Sequence, residues 1–338
     1  MFAESMNSFR ELSGWPGPGR DSVVRSFSCL ILILWGALAA GAAAAAPAQD
    51  AYLTVSGSGG VPLQVVTAGD PANPPILLIH GIGQSHFMFY RQFQSRLTED
   101  FFLVAFDLRG HGASGKPWAL ADYGSSAVWA GDVRAVLDAL DIERPLIVAW
   151  SFGTLVAMDY LREYGPESVR GLLLTGSLGA LLPFRMPDTD DTEAAEFAAV
   201  RALQLSENPR DRSEAGQRGV DWLVSDPLPP EDREVILAYT YMFPAYARRA
   251  IFARAFGNTD LRGLLDRLPV HIAIGSEDNP LMAEDAEVLA REHAGVSLSV
   301  YEDAGHSVFY ERPERFNREL RQLFARATAS AAHRHKEP

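Results

Sequence analysis

An α/β architecture, with a mostly parallel central sheet, helices on both faces and a helical lid insertion, is predicted by three features of the chain. Strand-length apolar runs alternate with helix-length amphipathic segments. Several of those runs are apolar without a break, as in strands covered on both faces. Between about Gly179 and Pro269 the strand runs vanish, and charges, helix formers and prolines replace them.

The elements follow in order. Val61 to Ala68 alternates as a strand does, and Ile76 to Ile79 and Phe101 to Phe106 are continuous apolar runs. Val128 to Leu140 places Val133, Val136, Leu137 and Leu140 at helical spacing. Leu146 to Trp150 is another buried strand, Phe152 to Tyr164 a helix, and Leu172 to Leu174 a further strand. Past the insertion, His271 to Gly275 and Leu298 to Tyr301 read as strands, followed respectively by helices over Met282 to His293 and Glu314 to Ala325. Pro227, Pro229, Pro230 and Pro244 break the insertion into pieces, and its place between two sheet strands suits a lid. The tail at 328–338 has little to bury and is expected to be disordered.

Composition narrows the function. The 338 residues include 30 basic and 43 acidic side chains, a formal charge of -13. That balance argues against nucleic acid as a partner, because phosphate binding needs an excess of Lys and Arg. The length fits one large domain with an insertion or two small domains. Cys29 is the single cysteine, so neither an internal disulfide nor a thiolate zinc centre is available.

Residues 1–48 read as a signal peptide or membrane anchor. No charged side chain occurs from Ser26 to Gln49, Leu30 to Trp35 is strongly apolar, and Ala46-Pro47-Ala48 offers a small-residue cleavage site. Export is the expectation; anchoring through residues 27–46 is the alternative, and membrane contact is confined to that segment. The remaining chain then divides into a core over 49–178, the lid over 179–269, and the rest of the core over 270–327.

The most informative segment runs from Leu146 to Thr154. A buried strand leads into Ser151, small residues stand two positions away on each side (Ala149 and Gly153), and a helix begins at once. A nucleophile on such a tight turn is pushed out of the sheet, and small neighbours let strand and helix approach. The helix start directs unpaired N–H groups at the same place.

From about residue 60 the chain resembles the α/β-hydrolase fold superfamily, and within it the serine-nucleophile group of esterases, lactonases and cofactor-free haloperoxidases. The matching segments are His80 to Gly83, Asp107 to Ser114, the Ser151 turn, Gly275 to Asp278, and Ala304 to His306. Ala149 departs from the usual glycine. The resemblance implies Ser151 as nucleophile, His306 as base, Asp278 as the acid that orients it, and no cofactor or metal. It implies an oxyanion hole from the backbone N–H groups of Ile82 and Phe152. Glu277 and Asp303 are the rival acids, and His86 the rival base that is hardest to dismiss. Asp107 and Arg109, in the family's D-x-R-G-x-G turn, are read as structural.

Phe87, Trp150 and Phe243 are expected to bind substrate, with further aromatics of the insertion (Trp222, Tyr239, Tyr241, Tyr246, Phe252) serving first as a packing surface. No Arg or Lys stands out as placed to grip a carboxylate, so an apolar acyl or aryl group is favoured. The expected partner is a small-molecule ester or lactone, cleaved through an acyl-enzyme. Perhydrolase or haloperoxidase chemistry, hydrolysis of carbon–carbon bonds in vinylogous diketones, and a non-catalytic small-molecule receptor are the alternatives on the same fold. Oligomeric state is not readable from the sequence.

Overall fold

The computed structural model describes residues 51–183, 185 and 191–334, so the leader reading of 1–48 lies outside the described residues. Eight strands form one sheet: β1 (Ala51–Ser56), β2 (Pro62–Ala68), β3 (Pro75–Ile79), β4 (Phe102–Phe106), β5 (Leu146–Trp150), β6 (Gly171–Thr175), β7 (Val270–Gly275) and β8 (Val296–Tyr301). Their spatial order is β1-β2-β4-β3-β5-β6-β7-β8. The β1–β2 and β2–β4 pairs are antiparallel, and every pair from β4 to β8 is parallel.

The unbroken apolar strands explain this layering. Side chains alternate across a strand, so a strand buried on both faces feeds two cores. In β5, Ile147 and Ala149 enter one core while Leu146, Val148 and Trp150 enter the other. β3 and β4 divide in the same way. Helices α1 (Ser126–Ala139) and α2 (Phe152–Tyr164) cover the first core. Four more, α3 (Asp191–Leu205), α4 (Pro209–Asp221), α5 (Pro230–Met242) and α6 (Ala245–Phe252), lie in the insertion between β6 and β7. Then come α7 (Pro280–Glu292) and α8 (Pro313–Arg334), the latter placing Phe316, Leu320 and Leu323 in the second core.

Two parts depart from the sequence expectations. β1 was not expected; it is an edge strand in which only Val55 is buried, so it lacks the apolar run that marks the inner strands. The expected disordered tail at 328–338 is helical as far as Arg334. Ala327 is buried, and the alanines after it sustain a helix that burial has already nucleated. Among the described residues no helix is long and apolar enough to cross a membrane.

The turns at the ends of β3 and β4 are held by buried polar groups. The His80 imidazole bridges two backbones: Nδ1–H donates to the Gly81 carbonyl at 2.7 Å, and Nε2 accepts from the Leu108 N–H at 2.9 Å. Burial drives this histidine down to about 4, so it is neutral. Asp107 accepts from His86 Nδ1 (2.8 Å) and from the backbone N–H groups of His86 and Ala113. Burial works to raise its carboxyl, but these bonds and the neighbouring imidazoles hold it at about 2. Arg109 makes a two-pronged pair with Asp132 of α1, both contacts at 2.7 Å, and donates to the carbonyls of Ser58 and Asp122. Both charges are buried.

Two predictions follow from these anchors. Arg109→Met strands a buried carboxylate and is expected to cost about 3–5 kcal/mol of folding stability; a denaturant melt showing a loss below about 1 kcal/mol would contradict the anchoring role. For His80, the unfolded chain takes up a proton near the ordinary value of 6.5, but the folded chain only near 4. Its contribution is therefore complete above 6.5 and is lost, by roughly 3 kcal/mol, as pH falls through about 4. Urea unfolding at about pH 7 and about pH 4.5 reads this, and an unchanged midpoint speaks against it.

Candidate active site

Because β3 and β5 to β8 run parallel, the loops after them open along one edge of the sheet. Ser151 follows β5, Asp278 follows β7, His306 follows β8, and Gly81 to Gly83 follow β3.

Ser151 sits at φ 54°, ψ -121°, in the positive-φ region that is costly for a residue with a side chain. The turn is pinned on both sides. Its N–H donates to the Thr175 carbonyl at the end of β6 (2.9 Å), and its own carbonyl accepts from the Thr154 N–H (3.0 Å) and hydroxyl (2.6 Å). Gly153 is required by contact: a Cβ there would lie 2.3 Å from the Ile79 carbonyl oxygen and 2.8 Å from that of His80. Gly81 serves likewise, since a Cβ on it would approach Ser151 Cβ to 2.9 Å. Ala149, two residues before Ser151 in β5, is fully buried in the core under α2.

The Asp278 carboxylate receives His306 Nδ1–H at 3.0 and 3.1 Å. The acid is held by the Asn279 N–H (2.8 Å). The imidazole's loop is held in two places: Trp150 Nε1–H donates to the His306 carbonyl (2.9 Å), and the Gly305 N–H donates to Glu311 (2.8 Å). Glu311 also receives the Ser225 N–H and hydroxyl, tying the loop to the insertion. Neither rival acid contacts His306. Glu277 accepts from the Ser276 hydroxyl, while Asp303 takes part through its backbone.

Ser151, Asp278 and His306 line one cavity of about 400 Å³, together with Gly81, Ile82 and Trp150. Ser151 makes no hydrogen bond to His306 in this arrangement; contacts of this kind tighten when substrate binds. Among the described histidines only His306 lines the cavity. His86 is committed to Asp107, His271 to Ser297 and Glu319, and His293 to Asp266. His111 donates from Nδ1 to the Arg109 carbonyl, and burial holds it well below the usual histidine range. No group of three His, Cys, Asp or Glu side chains among the described residues is arranged to hold a metal ion.

The expected substrate-binding residues divide. Trp150 and Phe243 line the cavity, Phe243 with its ring stacked 4.0 Å from that of His111. Phe87 does not: it stacks on Tyr90 at 4.9 Å and on Tyr239 at 6.2 Å, packed against the second core. Its position just after the loop that follows β3 suggested the cavity, but the intervening turn at Ser85 aims it at other aromatics. Of the insertion aromatics, Trp222 and Tyr241 join the lining, whereas Tyr246 stacks on Trp118. No Arg or Lys stands out in the sequence as placed to grip a carboxylate, yet Arg212 and Arg248 both line the cavity. They, Glu311 and Gln84 were not found from sequence, because no local motif marks them.

The model of the alpha/beta hydrolase family matches residues 76–319. An uncharacterized protein of Mycobacterium tuberculosis is 31% identical over 260 residues, covering 72% of this chain and 73% of the relative. A 2-hydroxymuconate semialdehyde hydrolase of a Pseudomonas species is 29% identical over 265 residues, covering 76% and 89%. The crystal structure of an esterase from a Rhodococcus species is similar at a TM-score of 0.67 and 27% identity, over 81% of this chain and 98% of that one. With its sheet order, its strand-to-helix serine turn and the extent of these matches, the chain belongs to the alpha/beta hydrolase family.

Proposed function

We propose that the protein is a serine hydrolase that cleaves a carboxylic ester or lactone with an apolar acyl or aryl group through an acyl-enzyme intermediate. The observation that carries this reading is the convergence of Ser151, on its positive-φ turn, with the Asp278–His306 pair on one cavity. The likeness to the Rhodococcus esterase supports it.

A serine hydroxyl is barely ionised at neutral pH and needs a base to become a nucleophile. With Nδ1 bonded to Asp278, the neutral His306 ring turns its Nε2 lone pair outward, able to accept the Ser151 proton as Oγ attacks the acyl carbon. Asp278 stabilises the imidazolium that forms. The developing oxyanion takes hydrogen bonds from the Phe152 N–H, which as the first residue of α2 has no partner within the helix, and from the Ile82 N–H. The imidazolium gives its proton to the departing alkoxide oxygen as the C–O bond breaks, so that it leaves as an alcohol or, from a lactone, stays on the acyl chain as a hydroxyl. Water then repeats the cycle on the acyl-enzyme, and the acid leaves. Ile82, Trp150, Leu223 and Phe243 supply the apolar lining for the acyl or aryl part. Carbon–carbon bond hydrolysis is the second reading, favoured by the likeness to the Pseudomonas hydrolase.

A fluorophosphonate is expected to label wild-type protein at Ser151 and not Ser151→Ala. Hydrolysis of p-nitrophenyl esters of graded acyl length is expected to fall at least about a thousandfold in Ser151→Ala. A folded wild type that resists labelling sinks the hydrolase reading in favour of a receptor. Faster turnover of vinylogous diketones than of any ester or lactone selects the second reading. Asp278→Asn leaves His306 without its orienting acceptor and is expected to cost on the order of 10⁴ in kcat.

A further inference from the structure

The insertion contributes two guanidiniums to the cavity wall, Arg212 from α4 and Arg248 from α6. Two other arginines with buried side chains are matched, Arg109 with Asp132 and Arg254 with Asp159. Among the described residues no carboxylate pairs with Arg248, and the charged groups that act on it are Arg212 and Arg201, both of like sign. Burial and these two neighbours lower its guanidinium to about 10, which leaves it charged at neutral pH. Its contacts are with the Phe243 ring, 4.8 Å from the guanidinium carbon, and with the oxyanion loop, where Nη2 lies 3.0 Å from the point at which a Gly83 side chain would begin. Arg212 donates to the carbonyls of Tyr241 and Phe243, and among the described residues it too has no carboxylate partner.

A concentration of positive charge is unfavourable in the absence of a counter-charge. The planar donor fork of arginine suits a carboxylate, which it can bind with two parallel hydrogen bonds. We infer that Arg248, with Arg212 beside it, forms an anion subsite next to the oxyanion loop, and that the substrate carries a carboxylate in addition to its scissile ester or lactone bond. The reaction part of this inference rests on the hydrolase reading; the subsite itself does not. The apolar lining then accommodates the segment between the two functional groups, and Arg248 sets how far the charged end stands from Ser151.

Mono-p-nitrophenyl esters of straight-chain dicarboxylic acids of graded length, each paired with its neutral methyl-capped counterpart, test the subsite. Wild type is expected to prefer the anionic member at one or more lengths by about tenfold or more in kcat/KM. Arg248→Met is expected to reduce that anionic-to-neutral ratio by about 10- to 100-fold, and Arg248→Lys, which keeps the charge but loses the fork, by less. A wild type that favours the neutral ester at every length, or a ratio unmoved by Arg248→Met, overturns the inference. The wild-type comparison decides alone if the variants do not fold. Fluorophosphonate labelling of Ser151 reports separately on the hydrolase reading. Should labelling fail, calorimetric titration with adipate still reads the subsite: binding to wild type that weakens about tenfold or more in Arg248→Met supports it, and absence of binding refutes it.

Discussion

The left-handed backbone of Ser151 is the constraint on which the other features depend. A residue with a Cβ at φ 54° stores strain of about 1–3 kcal/mol, and it persists only where its surroundings over-determine it. Here the surroundings do so from three sides. The end of β6 takes the Ser151 N–H, the first turn of α2 returns two hydrogen bonds to its carbonyl, and Gly153 allows α2 to lie against the end of β3. A serine in this position has its hydroxyl at the rim of the sheet, beside the helix start and the loop after β3, and nothing in the loops themselves needs to be rigid for that to hold.

A second layer of support comes from polar groups removed from water. His80 joins the β3 and β4 turns through two backbone bonds, Asp107 gathers three donors, and Arg109 fastens the following turn to α1. Each is satisfied within the protein, which makes the turns stiff in proportion to how costly it is to leave such groups unpaired. Glu311 does the same for the His306 loop by holding Gly305 and Ser225 together. Arg248 differs in kind: it is charged, half-buried and faced by like charges, and the imbalance lies on the wall of the cavity.

How much could be read from the chain varies with the range of the interaction involved. Ser151 was legible because strand, small residues and helix are contiguous around it. Asp278 and His306 were legible through the resemblance of their strand-end turns to the family's, which favoured Asp278 over Glu277 and Asp303; the fold adds its contact with His306 Nδ1. Phe87 misled, because a position just after a functional loop says nothing about which way a side chain points once a turn intervenes. β1 was missed because an edge strand needs no unbroken apolar run, and the end of α8 because a tail rich in alanine has no pattern to display.

The alternation of periods two and 3.6 along the chain was enough to dictate a parallel sheet between two helical layers, and with it the common edge at which the loops after β3, β5, β7 and β8 had to emerge. That follows from local geometry, since side-chain direction and strand burial repeat at fixed spacing. The cavity was decided by folding. Its wall brings Gly81, Ser151, Arg212, Arg248 and His306 together from five separate segments, and whether an arginine there meets a carboxylate or only other arginines depends on how the insertion packs. Long-range packing has no period to read, so the charge within the site became visible only in three dimensions.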